Sequence, residues 1–137
     1  MNIFDAMTAP KQETFDFVLT KIREQGRPSY SPEEGTCFYR GPNGTKCAVG
    51  HLIPDEIYNV FMEGMNPWAL RHEFLRAVPE GSTVEPRAGW TIFLGELQSA
   101  HDSAAKAQQV GDDFLEVFEK NMKHLALENE LTYSSPE

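Results

Sequence analysis

Residues 37–58 read CFYRGPNGTKCAVGHLIPDEIY, and this stretch decides how the rest of the chain is arranged. It contains both cysteines, one of the four histidines and the densest turn sequence of the chain. Within it, residues 41–44 (GPNG) place proline where φ is about −65° and glycine where φ must be positive, an order typical of a three-residue hairpin loop. The sequence therefore predicts a β-hairpin in which Arg40 lies opposite Lys46.

The predicted hairpin has one apolar and one charged face. Side chains alternate along a strand, so the core-facing set is Cys37, Tyr39, Cys47 and Val49. Arg40 and Lys46 share the other face, where like charges directly opposite each other are unfavourable. An anion or an acidic side chain beside them would relieve the repulsion. The alternative is that both long side chains extend into water.

Two structures are open for residues 46–53. The segment can continue as the second strand, or it can leave the hairpin after one pair and form a helix capped by Thr45. We favour a short hairpin followed by a short helix. Pro54 would end that helix and begin another, which Gly64 would end.

Outside this stretch, apolar residues at helical spacing predict a mainly α-helical chain. Capping residues and prolines place helices from Thr8 to Gln25, over residues 66–78, over residues 90–109 and from Asp112 onward. Gly95, inside the most apolar of these helices, indicates a closely approaching backbone. We expect a single domain (1–137) of about five helices around one short β-hairpin, α+β at the margin. Its ends, 1–7 and 128–137, are expected to be frayed.

Composition restricts the class of function. The chain has 12 Lys and Arg against 21 Asp and Glu, which gives a net charge of −9. Binding nucleic acid or an anionic membrane without sequence preference requires surplus cations, so we expect neither activity. The first residues, MNIFDAMTAPKQ, lack the pattern of a signal peptide, and no run reaches the roughly 18 apolar residues of a membrane span. We therefore expect a cytoplasmic protein with reduced cysteines.

Both cysteines are candidate metal ligands. Cys37, Cys47 and His51 have the spacing C-x9-C-x3-H, and His101 could supply a fourth ligand for a structural zinc ion. The chain has no C-x2-C pair, however, and free cysteines usually pack as small hydrophobic residues. We predict no bound cofactor and keep the zinc site as the alternative.

The same region offers a small-anion site. Arg40, Lys46, His51 and His101 could hold a nucleotide phosphate beside the exposed amides of the turn. Residues 79–89, the longest irregular stretch, would then act as a lid.

A thiol-dependent enzyme is a further alternative. It requires a cysteine, a histidine and an orienting acid close together in space. His101 and Asp102 are adjacent, and neighbours on a helix point in different directions. The sequence therefore assigns no catalytic residue.

The last predicted helix has an acidic outer face formed by Asp112, Glu116 and Glu119. Lysines and a histidine follow it, an order of charges that favours the helix dipole. The face is also a candidate surface for a basic protein partner.

Three segments resemble a family of small bacteriophage and prophage proteins: CFYR, TKCAVGHLIPDEIY and LQSAHD. The resemblance covers the central stretch and part of the helix that begins near Trp90. It implies a phage protein inside a bacterial host cell, and it carries over no activity and no catalytic residue. We expect a protein that binds and inhibits or regulates a host protein, such as a defence or nucleic-acid-handling protein, with a basic surface. An anion binder and a thiol- or zinc-dependent enzyme are the alternatives.

Overall fold

The computed structural model describes residues 1–136, which form five α-helices and one small antiparallel sheet. This range confirms the mainly α-helical fold with a single short hairpin. None of its helices combines the length and apolar composition needed to cross a lipid bilayer. The helices are α1 (Ile3–Thr8), α2 (Lys11–Gln25), α3 (Arg71–Leu75), α4 (Trp90–Gln109) and α5 (Phe114–Glu128), and the strands are β1 (Tyr30–Ser31) and β2 (Thr36–Cys37).

Helix α4 lies at the centre of the molecule. Its residues Phe93, Leu94, Leu97 and Ala104 are at most 1% exposed, because they recur at helical spacing and face the other helices. Helix α5, which Asp113 caps through a hydrogen bond to the Glu116 amide, packs along α4. The predicted starts of both helices are confirmed: apolar spacing marks the start of α4, and the cap together with apolar spacing marks the start of α5.

The amino terminus is ordered, so the prediction that residues 1–7 are frayed is wrong. Asn2 and Asp5 form a reciprocal capping box at the start of α1. Ile3, Ala6 and Met7 are fully buried in the core. Thr8 does not cap α2, because its hydroxyl donates to the Phe4 carbonyl.

The carboxyl terminus is also tied to the core as far as it is described. The Thr132 amide donates to Gln12 over 2.8 Å, and the Tyr133 hydroxyl donates to Glu119 over 2.6 Å. The expectation of a frayed end over 128–137 is therefore wrong for residues 128–134, and Glu137 lies outside the described range.

The sheet lies one turn earlier than predicted. Strand β2 pairs with β1, and Arg40 opposite Lys46 is an isolated bridge rather than part of a ladder. The amides of Tyr39 and Arg40 donate to the Glu63 carboxylate over 2.8 and 3.1 Å, so neither is free to extend a ladder toward residues 46–48. The side chain of Glu63, which is distant in sequence, thus takes the place of the strand partner expected for Tyr39 and Arg40.

The segment after the bridge contains short turns of helix. Residues 49–52 form a 3-10 helix, which agrees with the favoured short helix, whereas the helix predicted over 54–63 is reduced to turns and a 3-10 helix over 60–62. This segment packs directly against the Tyr39 backbone, and only glycine fits at position 50. A Cβ at Gly50 would lie 2.1 Å from the Tyr39 carbonyl oxygen.

Gly95 has the opposite surroundings. A Cβ built on it meets nothing within 4 Å, so the predicted close approach of a backbone is wrong. Gly95 faces open space on the outer side of α4.

Residues 79–89, the stretch expected to act as a lid, are anchored at their end. Arg87 holds their end to α1, because its amide donates to the Met7 carbonyl over 2.7 Å and its guanidinium donates to the carbonyls of Ala9 and Ala6. Burial lowers the pKa of Arg87. The irregular stretch is therefore fixed against the core at its end.

Candidate binding site

A cleft of about 760 Å³ opens beside the outer face of α4. Strand β2 and Tyr39 form one wall, the turn over residues 63–68 forms the second, and the outer side of α5 forms the third. The α4 residues in the cleft include Ile92, Gly95, Ser99 and Ser103, which recur at helical spacing opposite the buried stripe. Because Gly95 has no side chain, the cleft remains open at its position.

The charges that line the cleft are almost all negative. Its acidic residues are Glu63, Glu96, Asp102 and Glu128, and no lysine or arginine is among its lining residues. His124 also lines it and pairs with Glu128 at 2.6 Å. The potential in the cleft therefore favours a cation.

Apolar side chains at the rim are unusually exposed. Met65, Trp68 and Ile92 line the cleft and are 42%, 60% and 69% exposed. Phe61, in the turn that leads into this wall, is 83% exposed. Exposed apolar groups of this size concentrated at one place are typical of surfaces that bind another molecule.

Glu63 holds the rim turn in place. Besides the amides of Tyr39 and Arg40, its carboxylate accepts a hydrogen bond of 2.7 Å from the Tyr58 hydroxyl. The Tyr39 hydroxyl also donates to the Met65 carbonyl. Burial and the hydrogen bond to Glu63 raise the pKa of Tyr58 to about 12. The exposed apolar side chains are thus displayed on a fixed turn.

Asp102 is held by neutral hydrogen-bond donors. Its Oδ1 lies 2.8 Å from Gln98 Nε2 and 2.8 Å from His101 Nδ1. His101 is completely buried, and its Nε2 accepts a hydrogen bond of 3.1 Å from the Ser29 amide. An Nε2 that accepts leaves the proton of a neutral imidazole on Nδ1, so His101 donates to Asp102. The expectation that these adjacent residues point apart is therefore wrong.

Cys37 completes this cluster. The ligand atoms of Cys37, His101 and Asp102 lie within 4.8 Å of one another. Burial, followed by the charge of Asp102 and a hydrogen bond to it, raises the pKa of the Cys37 thiol to about 12. A thiol in this state is a poor nucleophile at neutral pH, because the thiolate is the reactive form. The cluster therefore does not resemble an activated cysteine.

The structure brings together only two of the four predicted zinc ligands. Cys37 and His101 are in the cluster, whereas Cys47 is fully buried in the hydrophobic core and His51 is not part of the cluster. Burial raises the pKa of the Cys47 thiol. Both nitrogens of His101 are already hydrogen-bonded, so a metal could bind His101 only after one of these bonds breaks. The residues present are a poor match to a preformed zinc site.

The predicted anion site is dispersed. The Arg40 guanidinium pairs with Asp55 at 2.7 Å, donates to the Ile53 carbonyl and lies 4.3 Å from the Tyr58 ring centroid. The acidic side chain expected beside Arg40 and Lys46 is thus Asp55. His101 is completely buried, and both of its ring nitrogens are hydrogen-bonded within the protein, to the Ser29 amide and to Asp102.

His51 does lie near cations. Burial, and then the charges of Lys46 and Lys21, lower the pKa of His51 to about 4. Its Nε2 is buried without a hydrogen-bond partner among the described residues. His51 is therefore neutral at pH 7.

The acidic face of α5 is smaller than predicted. Asp112 and Glu116 are exposed, but Glu119 is bound by Arg23 through two contacts of 2.6 and 2.7 Å. Burial opposes ionisation of Glu119, yet the hydrogen bonds from Arg23 and Tyr133 lower its pKa overall. Glu119 is a structural partner of α2 and not part of a free acidic surface.

Several cleft residues carried no sequence pattern that pointed to a site. Trp68 and Ile92 belong to helical apolar patterns, and their spacing alone does not tell that they face outward. Glu63 and Glu96 were single acids without a motif. Cys37 of β2, and His101 with the LQSAHD segment of α4, are the parts of the candidate site that the sequence did single out.

No family model, no characterised protein and no solved structure matches the chain.

Proposed function

We propose that this chain is a non-catalytic binding protein whose acidic cleft takes a basic, partly apolar segment of another protein. The observation that carries the proposal is the combination in one cleft of four carboxylates, no lysine or arginine, and the exposed Trp68 and Ile92. Charge complementarity would speed association and select the partner, while the apolar rim would supply most of the affinity.

The proposed interaction surface is the cleft, and not the acidic face of α5 that the sequence indicated. In the phage setting that the sequence resemblance implies, the partner is a host protein with a basic surface, and occupation of that surface inhibits or regulates it. Basic surfaces of this kind are common on proteins that handle nucleic acid. The high pKa of Cys37 supports binding over thiol chemistry at this site.

A peptide-display selection with random dodecapeptides tests the proposal. The enriched peptides are expected to combine lysine or arginine with leucine, phenylalanine or tryptophan, and enrichment of acidic or uncharged peptides would contradict it. The double variant Glu96→Lys, Glu128→Lys should then weaken binding of the best peptide by more than about tenfold.

The matched control is Asp112→Lys with Glu116→Lys. It makes the same change in net charge on exposed positions outside the cleft. It should change affinity by less than about threefold, since exposed charges that do not line the cleft are weakened by solvent and salt. Equal losses in both variants would show that net charge, and not the cleft, determines binding.

A further inference from the structure

Asp102 is a carboxylate without a cationic partner. Its side chain is 33% exposed, and its three neighbours Gln98, His101 and Cys37 are all uncharged donors. Among the ion pairs of residues 1–136, none joins Asp102 to a lysine or arginine, and the nearby Lys106 is exposed. A partly buried charge of this kind is normally paired with an opposite charge.

The two oxygens of Asp102 are not equivalent. Oδ1 accepts from both Gln98 and His101, so its two lone pairs are occupied. The hydrogen bond from the Cys37 thiol then falls to Oδ2, which keeps a second lone pair for a ligand. A guanidinium group binds a carboxylate best through two parallel hydrogen bonds, one to each oxygen. A primary ammonium group needs only one oxygen.

The surroundings of Asp102 suit an ammonium group. Ser99 lies three positions before Asp102 on the same helix face, Ser103 follows Asp102 directly, and both serines line the cleft. The Ser103 hydroxyl oxygen already accepts a hydrogen bond of 2.8 Å from Asn121 and keeps one further lone pair. Their hydroxyl oxygens can accept the remaining ammonium protons. The exposed apolar side chains of Ile92 and Trp68, elsewhere in the cleft, can contact apolar residues of the same bound segment.

We propose that Asp102, with Ser99 and Ser103, forms a specificity site for one lysine side chain of the bound segment, and that the site prefers lysine over arginine. This inference rests on the proposed function, because it names the group that the acidic cleft recognises. Here Gln98 and His101 are positioning residues: they orient the carboxylate and present Oδ2 to the cleft.

The test uses the full chain labelled with ¹⁵N and three capped pentapeptides of composition Gly-Leu-X-Leu-Gly, in which X is lysine, arginine or norleucine. Titration followed by amide chemical shifts should give the lysine peptide about fivefold higher affinity than the arginine peptide, because arginine can use only one of its paired hydrogen bonds. The largest shifts are expected at Ser99, Asp102 and Ser103.

Asp102→Asn keeps an oxygen that can accept from Gln98 and His101 and removes the charge. It should lower affinity for the lysine peptide about tenfold and leave the weak binding of the norleucine peptide unchanged. The matched control is Asp112→Asn, which makes the same chemical change at an exposed aspartate outside the cleft. It should reduce affinity for the lysine peptide by less than about threefold.

A second readout reports on Asp102 without a peptide assay. An ammonium ion at Oδ2 offsets the charge that raises the pKa of Cys37, so saturating n-butylammonium should speed alkylation of Cys37 by iodoacetamide about threefold or more in the wild type and not in Asp102→Asn. Acceleration that is equal in both proteins would contradict binding at Asp102.

The possible outcomes separate the two proposals. Equal or tighter binding of the arginine peptide overturns the lysine preference and leaves the proposed function standing. Unchanged lysine binding in Asp102→Asn overturns the role of Asp102. If no basic peptide binds in the display selection or the titration, the proposed function fails together with this inference.

Discussion

Two half-buried carboxylates, Glu119 and Asp102, have opposite electrostatic surroundings. Glu119 is 15% exposed and receives two charged hydrogen bonds from Arg23 and a third from Tyr133. Asp102 is 33% exposed and receives hydrogen bonds from neutral groups only. A charge compensated within the chain stabilises the fold, whereas an uncompensated charge in a cleft remains available to a partner.

The largest effect is expected from breaking the compensated pair. Glu119→Gln should lower the free energy of unfolding by about 3 kcal/mol, because it leaves the Arg23 guanidinium partly buried without its counter-charge. Urea denaturation followed by circular dichroism measures the loss. The control Glu116→Gln, an exposed position on the same helix, should change stability by less than about 0.5 kcal/mol. A similar small change in both variants would mean that the Arg23 pair contributes little.

Glu119 and His51, which both have shifted pKa values, affect the free energy of unfolding in different ranges of acid pH. The unfolded chain protonates His51 near pH 6.5 and the folded protein only near pH 4, so the unfolded state binds more protons in between. Stability should therefore fall by about 2 kcal/mol as the pH drops from 6.5 to 4. Glu119 has a lowered pKa, so its contribution is present above pH 4.5 and is lost only as the pH falls through that lower value.

His51→Gln tests this assignment. The variant should have a flat free energy of unfolding between pH 6.5 and 4.5, while His72→Gln, at an exposed histidine, should keep the slope of the wild type. If the slope persists in His51→Gln, another group titrates in this window.

The smallest effect on stability is expected at the uncompensated site. Asp102→Asn should change the free energy of unfolding by less than about 1 kcal/mol, because the hydrogen bonds from Gln98 and His101 can remain and no ion pair is broken. Urea denaturation beside Glu119→Gln gives the direct contrast. A loss as large as that of Glu119→Gln would contradict the distinction between the two carboxylates.

Helices α4 and α5 could be predicted from sequence because their determinants are local. Apolar spacing, the cap at Asp113 and the residues near Trp90 lie within the elements that they define. Residues 54–68 could not be predicted in the same way. Their path is set by Glu63, which binds the amides of Tyr39 and Arg40 more than 20 positions earlier, and such distant pairing leaves no local pattern.

Only part of the candidate site could be predicted from the sequence, for a related reason. Sequence reasoning selected Cys37 and His101, which do meet, but it rejected Asp102 because adjacent helix residues diverge. A short aspartate side chain reaches the ring nitrogen of its neighbour all the same, at 2.8 Å. Gly50 and Gly95 show the same limit: one faces a carbonyl and the other faces open space, and the sequence alone does not distinguish them.

Gly95 offers the most direct test of the claim that the cleft is the binding site. A Cβ at Gly95 meets nothing within 4 Å, and Gly95 lines the cleft. Replacing glycine inside a helix gains up to about 1 kcal/mol of stability. The measurement is the affinity of the best basic peptide for wild type, Gly95→Ala and Gly95→Leu by isothermal titration calorimetry. Gly95→Ala should bind like the wild type, and Gly95→Leu should fold at least as stably yet bind more than about tenfold more weakly. Equal affinity in all three proteins would contradict binding in the cleft.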